Sequence, residues 1–212
     1  MREVVRRAAA AVCVAVAAVF GVVQINAATA SGPPPTSVAA AINLSASDVG
    51  DVVHEHVTLF AKRMVENGVS FGKTCVITDT GLATWVTYAT AGTAPGRWVI
   101  TSMVIVKPSQ SAVTGDFQAL HKPDFPGCLS SAQGAVHESE LSFSLPGNPA
   151  AIGWRFTSPS LPLVGPSYTD NSFVAVGRDE LYLAAVGPKP LPRAWRLKLL
   201  SLILSRARAE PH

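Results

Sequence analysis

The sequence has few of the residues that usually mark a catalytic or nucleotide-binding site. Charged residues make up 15 per cent of its 212 residues, and it contains three cysteines and five histidines. It has no paired Cys-x-x-Cys motif and no complete glycine-rich phosphate loop. No nucleophile with a neighbouring base can be named. We therefore predict a protein that is not an enzyme and that needs no metal or cofactor, and an exported hydrolase is the least favoured alternative.

Positive charge is also scarce outside the two ends of the chain. The formal net charge is +3, of which the first seven residues, with three arginines and one glutamate, contribute +2. The rest of the chain is therefore close to +1. A nucleic-acid binder usually has a basic patch with interleaved aromatic residues, and the middle of this chain has none. We predict no nucleic-acid partner.

The first thirty residues have the order of a secretory signal peptide. Arg2, Arg6 and Arg7 precede an uncharged apolar run over residues 8–23, and the small residues Ala28-Thr29-Ala30 follow. The run is slightly short for a membrane span, which needs roughly 20 apolar residues. Cleavage after residue 30 and retention as an N-terminal anchor both stay open. Either outcome places the rest of the chain outside the cytoplasm, in the secreted fraction or the cell envelope.

Only two cysteines remain beyond this leader, because Cys13 lies within it. In an oxidising compartment an even pair in an otherwise cysteine-free domain usually forms a disulfide. We therefore predict one disulfide between Cys75 and Cys128, with the turn FPGCLSS pinned to a strand. Such a bridge would close a loop of about 53 residues and stabilise the fold by up to about 4 kcal/mol.

Residues 31–40 are rich in proline and predict a linker, and a single domain is expected over residues 41–208, followed by a short tail at 209–212. The capping-box pattern at Ser45 predicts a helix start. Apolar residues then recur at three- and four-residue spacing as far as Met64. This pattern predicts one long helix that ends at Asn67-Gly68.

Alternating patterns predict strands around residues 73–90, and the bulky run at 98–106 predicts a central strand covered on both sides. Ser109 predicts the start of a second helix that ends near the turn at 123–127. Paired strands are expected at 141–145 and 152–156, a hairpin at 173–186 and a closing helix at 193–208. The order predicts an α+β fold, with a mainly antiparallel sheet and helices packed on one face.

Two groups of side chains are candidates for a site. Aromatic residues on predicted strands can line an apolar ligand cleft or simply fill the core; they are Trp85, Tyr88, Trp98 and Trp154. The terminal helix is basic and amphipathic, so it can either contact an anionic membrane or pack its apolar side on the sheet. Its membrane-contact candidates are Arg193, Trp195, Arg196, Lys198, Arg206 and Arg208. His54-Glu55-His56 is not a metal motif, because residues two apart on a helix point about 200° apart.

Several segments, taken in order, resemble a known family. They are INLSASDVGDV, the strand that Cys75 opens, MVIVKPSQSAVTGDFQAL running into FPGC, and the hairpin FVAVGRDELYLAAV before a terminal helix. This order is similar to the extracytoplasmic sensor domain of mycobacterial receptor Ser/Thr kinases and its stand-alone secreted or lipoprotein relatives, over most of residues 41–208. The Ala-rich, Lys-poor composition also fits an actinobacterial source.

The resemblance implies an antiparallel sheet with helices on one side and a cleft for an unidentified ligand. It also implies two disulfides; by position Cys75 and Cys128 match one pair, and the late strands have no cysteine for the second. The sequence has no kinase domain, so direct signalling to a kinase is not expected. We predict an exported sensor-like module that binds a small ligand, an envelope component or a protein partner. The alternative is an envelope protein held at the membrane by its leader or its terminal helix.

Overall fold

The computed structural model describes residues 20–22, 35–66, 69–71, 75–76, 82–90, 97–132, 135, 137–147, 149–161 and 165–210. The helices are α1 (Pro35–Ile42), α2 (Ala46–Val53), α3 (Gln110–Leu120), α4 (Phe125–Ala132) and α5 (Arg193–Ala209). The strands are β1 (Phe20–Val22), β2 (Val57–Glu66), β3 (Val69–Phe71), β4 (Cys75–Val76), β5 (Leu82–Thr90), β6 (Val99–Val106), β7 (His137–Glu140), β8 (Ala150–Leu161), β9 (Gly165–Val176) and β10 (Asp179–Gly187).

A seven-stranded sheet organises the domain. Its strand order is β2-β5-β6-β10-β9-β8-β7, and all neighbouring strands are antiparallel. A smaller sheet joins β1, β3 and β4. The predicted α+β class and antiparallel sheet are therefore confirmed.

Strand β6 is an interior strand of the large sheet, next to the central strand β10, and it is covered on both sides as its bulky residues predict. It pairs with β5 on one side and β10 on the other, and all eight of its residues are buried. The predicted hairpin is β9–β10, in which Val176 pairs with Asp179 across a two-residue turn. Gly177 has φ of +59° in that turn, a conformation that a tight hairpin needs and that glycine adopts at little cost.

Helices cover both faces of the sheet, so the prediction that they pack on one face is wrong. On one face α1, α2 and α5 pack over a core that includes Ile100, Val104 and Leu183. On the other face α3 and α4 pack over Met103, Ile105 and Tyr182. Successive residues of a strand point to opposite sides, and β6 and β10 carry apolar residues at nearly every position. Each face therefore needs its own layer of helices.

The single long helix predicted from Ser45 is also wrong. Ser45 does cap α2 with the predicted capping box, but α2 ends at Val53 and His54 adopts a left-handed conformation with φ of 57°. From Val57 the chain is strand β2, paired with β5. The apolar residues of β2 happen to continue the helical spacing of α2, and pairing with β5 decides the outcome.

Three further boundaries differ from the sequence predictions. Pro35 starts α1 inside the predicted linker, and α1 buries Ala39 and Ile42; proline is tolerated in the first turn of a helix. The predicted turn at FPGC is the start of α4, again with proline in the first turn. The strand that pairs with β8 is β7 at His137–Glu140, which ends just before the predicted strand at 141–145. Leu141 and Leu145 are buried but lie in a loop. The predicted helix end at Asn67-Gly68 lies outside the described residues.

Candidate functional site

Three of the four aromatic cleft candidates lie in the core, on both faces of the sheet. Tyr88 and Trp98 are buried in the core under α1, α2 and α5, whereas Trp154 is buried on the opposite face of the sheet. The Tyr88 hydroxyl donates a hydrogen bond to the carbonyl of Leu44 at 2.8 Å, and the Trp98 indole lies directly against the backbone of Gly187. These three side chains therefore fill two cores rather than line one site. The side chain of Trp85 lies outside the description.

Cys128 lies in α4. Helix α4 contacts β4, the strand that Cys75 opens. This places the two elements of the predicted bridge next to each other. The pairing of Cys75 with Cys128 itself stays a prediction.

The apolar side of the terminal helix packs on the sheet, which confirms the packing interpretation. Leu199, Leu200, Ile203 and Leu204 of α5 are buried in the core. Arg193, Lys198 and Arg208 are exposed, and Trp195 is partly buried against the core. Arg196 is only 4% exposed, so its prediction as a membrane contact is wrong; contact through the other candidates stays a prediction.

None of the described helices is both long enough and apolar enough to span a membrane.

A group of buried charges lies beneath the start of α5, and we call it the arginine–aspartate cluster: Arg155 on β8, Asp170 on β9 and Arg196 on α5. Arg155 and Asp170 face each other in the β8–β9 register. Arg155 Nε and Nη2 donate to the two carboxylate oxygens of Asp170 at 2.6 and 2.9 Å. Arg196 Nη1 lies 3.6 Å from Asp170 Oδ2. Asp170 is 2% exposed.

The two arginines of the cluster differ in their electrostatic environment. The hydrogen bonds to Asp170 raise the pKa of Arg155 above its usual value, although burial opposes this. Burial lowers the pKa of Arg196, and the repulsion of Arg155 and Arg193 adds to that effect while Asp170 opposes it. Arg155 is thus the neutralised member of the cluster, and Arg196 is a cation in an unfavourable environment.

The contacts of Arg196 also leave its positive charge and its N–H donors only partly compensated. Its Nε and Nη1 atoms are buried and have no hydrogen-bond partner. Its guanidinium lies 5.5 Å from the ring centroid of Phe143, within the range of a cation–π contact. Ser172 follows Asp170 by two residues on the same face of β9, and its buried hydroxyl has no partner either. Buried polar atoms without a partner are rare in folded proteins, and a bound water or ion is one explanation for them.

A second charge cluster lies on the opposite face, at the end of β6. The ammonium of Lys107 is 1% exposed and forms an ion pair with Asp116 of α3. Glu180 of β10 lies 3.7 Å from the same ammonium. Glu180 also borders a small apolar pocket between α3 and the sheet, lined mainly by Met103, Phe117, Leu120 and Tyr182. That pocket has room for about one water molecule.

A third ion pair joins α2 to α5. Arg206 donates to both carboxylate oxygens of Asp48, at 2.7 and 2.9 Å, and its Nη1 also donates to the carbonyl of Asn43. The backbone N–H and the hydroxyl of Ser45 both donate to Asp48 Oδ2 at 2.7 Å. Asp48 is therefore both a helix-capping residue and the anchor of the terminal helix.

Asp48→Asn is expected to lower the free energy of unfolding by about 1–3 kcal/mol at pH 7. Burial raises the pKa of Asp48, but the hydrogen bonds from Arg206 and Ser45 outweigh it, so the pKa lies below its usual value. The unfolded chain therefore binds more protons in acid, and this stabilisation is complete above about pH 4 and is lost as the pH falls further. Urea unfolding between pH 2 and 7 measures it. Asp51→Asn, an exposed carboxylate on the same helix, is the control; an equal pH dependence in both variants would contradict the assignment.

Residues 68–73 contain two short hydrolase motifs that are not among the candidates above. Gly68-Val69-Ser70-Phe71-Gly72 fits G-x-S-x-G, and Ser70 with Lys73 fits S-x-x-K. The first motif places its serine at a sharp turn from a strand into a helix. Ser70 instead lies inside β3, paired with Gly21 of β1 and Val76 of β4. The backbone at Ser70 is therefore a paired strand, and not the sharp turn that holds the nucleophile of such a hydrolase.

His54-Glu55-His56 follows the end of α2, and all three residues are exposed. Within the part of the chain that the structure describes, no three His, Cys, Asp or Glu side chains are grouped to hold a metal ion.

No protein-family model matches the chain, and no curated protein matches it significantly. A solved structure does: the extracellular domain of PknH from Mycobacterium tuberculosis superposes with a TM-score of 0.54 at 11% identity. The match covers 85% of this chain and 100% of that domain. The chain shares the fold of this extracellular domain.

A second solved structure is an uncharacterised protein from Mycobacterium smegmatis, the orthologue of Rv0999. It has a TM-score of 0.43 at 11% identity, and the match covers 77% of this chain and 97% of that chain. This second likeness is too weak to carry an argument. The PknH likeness confirms the predicted resemblance to a mycobacterial sensor domain at the level of the fold.

Proposed function

We propose that the protein is an exported, non-enzymatic binding domain of the cell envelope, with a sensor-like fold. The observation that carries this proposal is the match to an extracellular domain over the whole length of that domain. The leader over residues 1–30 supports export, because its order of charged, apolar and small residues is that of a signal peptide. A disulfide between Cys75 and Cys128 would suit an oxidising compartment.

Each face of the sheet contains one candidate binding region for this proposed function. The pocket under α3 holds about one water, so a larger ligand there would require α3 to move. The arginine–aspartate cluster has buried donors without acceptors and is the better candidate. The terminal helix gives no support to a separate membrane-binding function, because its apolar side is already buried in the core.

Export of the full chain from a mycobacterial host tests the proposal. We expect the protein in the secreted or envelope fraction, with an intact mass lower by the two hydrogen atoms of one disulfide. A mass that also lacks residues 1–30 would show cleavage, and a full-length mass in the membrane fraction would show retention of the leader as an anchor. Cys75→Ser is the matched variant, and it should leave Cys128 reactive toward a thiol reagent. Recovery in the cytoplasm with both thiols free would contradict the proposal.

A further inference from the structure

The arginine–aspartate cluster contains one more positive charge than negative charge. Arg155 already occupies both carboxylate oxygens of Asp170, and the backbone N–H of Leu191 donates to Oδ2 at 3.1 Å. Arg196 therefore approaches Asp170 only to 3.6 Å, which is too far for a hydrogen bond. Three of the roughly four acceptor positions of the carboxylate are therefore occupied, and the second arginine is left without a full counter-charge.

Arg196 is costly to bury in this state. Its Nε and Nη1 atoms carry three N–H donors, and none of them has an acceptor. Among the described residues, Asp170 is the acidic side chain that forms an ion pair with Arg196. A buried cation is stable in a protein when it is paired and its donors are satisfied. An anion bound next to Arg196 would supply both conditions.

The surroundings of Arg196 also favour an anion. Helix α5 is 17 residues long and begins after Pro192, which provides no side-chain cap. The partial positive charge at a helix N-terminus attracts anions, and Asp170 accepts its hydrogen bond from Leu191, just before this helix start. The unpaired hydroxyl of Ser172 is a further donor on the same face of the sheet.

We propose that Arg196, together with Arg155 and the start of α5, binds a small oxyanion: a phosphate or carboxylate group. Guanidinium groups bind both groups through charge-assisted hydrogen bonds. Arg155 is 25% exposed and marks the side open to solvent. Phe143 is half-buried over the Arg196 guanidinium, and we expect its ring to move aside when the anion binds. This site does not depend on export, and an unexported protein would bind the same group.

Thermal unfolding and calorimetric titration of the purified full chain test the site. Sodium phosphate and sodium acetate are the probes, each compared with sodium chloride at equal ionic strength. With a dissociation constant of about 1 mM, 20 mM of the preferred anion should raise Tm by about 4–7 °C. Phosphate stabilises many proteins without binding, so the variants decide the result. The preferred probe distinguishes a phosphate site from a carboxylate site.

Arg196→Met keeps the apolar contacts and leaves a one-to-one pair of Arg155 with Asp170, so we expect it to fold and to lose the Tm increase. Arg196→Lys keeps the charge without the planar fork, and its affinity should fall about tenfold. Lys198→Met removes an exposed charge from the same helix and should bind like the wild type. The proposal is overturned if wild type and Arg196→Met gain Tm equally, or if calorimetry detects no saturable binding of either anion to the wild type.

Discussion

Asp170→Asn is expected to lower the free energy of unfolding by about 3–5 kcal/mol, because it removes the only negative charge of the arginine–aspartate cluster. The side-chain shape is retained, so no cavity forms. Arg155 would lose its charge-assisted pair at 2.6 and 2.9 Å, and Arg196 would lose its remaining neutralising neighbour. Two guanidinium groups would then lie close together beneath α5 without a counter-ion.

Urea unfolding measures this loss as a lower midpoint with an unchanged slope. Asp124→Asn, which changes an exposed carboxylate between α3 and α4, should be nearly neutral. The double variant Asp170→Asn with Arg196→Met removes one of the two unpaired cations and should recover a large part of the stability. A loss below about 1 kcal/mol for Asp170→Asn would mean that water solvates both arginines, which would contradict the burial argument.

The cluster could not be predicted from the sequence, because its three residues come from separate elements. Arg155 and Asp170 meet only through the register of β8 with β9, and Arg196 reaches them from the terminal helix. In the sequence Asp170 lies in SYTDNS, a polar stretch that looks like loop. Buried ion pairs depend on the strand register and the helix position, which local patterns do not specify.

The elements that were predicted correctly have strong local signals. Strand β6 is apolar at nearly every position, the β9–β10 hairpin has glycine where the turn needs it, and α5 combines an apolar stripe with helix-forming residues. Ser45 and Ser109 both cap helices, as their positions predicted. Such signals act within one turn or one strand, so they are readable without the tertiary structure.

The errors arise where two structures fit the same local pattern. The apolar spacing across α2 and β2 fits one helix, and no residue near His54 marks the left-handed break. The sequence itself contains evidence against the prediction that helices pack on only one face of the sheet. A strand with bulky residues on both sides needs cover on both sides, and residues 98–106 predict such a strand. Applied to the whole sheet, that argument predicts the two helical layers that the structure has.

Lys107→Met is expected to destabilise the opposite face by about 3 kcal/mol. The ammonium of Lys107 lies between Asp116 of α3 and Glu180 of β10. Its backbone is fixed as well: the N–H of Lys107 donates to the carbonyl of Arg178 at 2.8 Å, and Arg178 Nε donates to the carbonyl of Lys107 at 2.9 Å. Methionine fits the same space, so the loss would come from the charge and not from packing.

The substitution would leave two carboxylates facing each other in a poorly hydrated site. Asp116 is 14% exposed and Glu180 is 12% exposed, so water can compensate them only in part. Helix α3 would then be held to the sheet mainly by Val113, Phe117 and Leu120. We expect hydrogen exchange to accelerate in α3 while exchange in α5 keeps its wild-type rate, since α5 packs on the other face.

The triple variant Lys107→Met, Asp116→Asn and Glu180→Gln separates charge from packing. It removes the cation and both carboxylates together, and we expect it to recover most of the lost stability, because a buried ionic group can often be replaced as a whole at little cost. Lys122→Met, an exposed lysine after α3, is the control and should change stability by less than about 0.5 kcal/mol. Equal losses for Lys107→Met and the triple variant would show that the lysine stem, not its charge, stabilises α3 on the sheet.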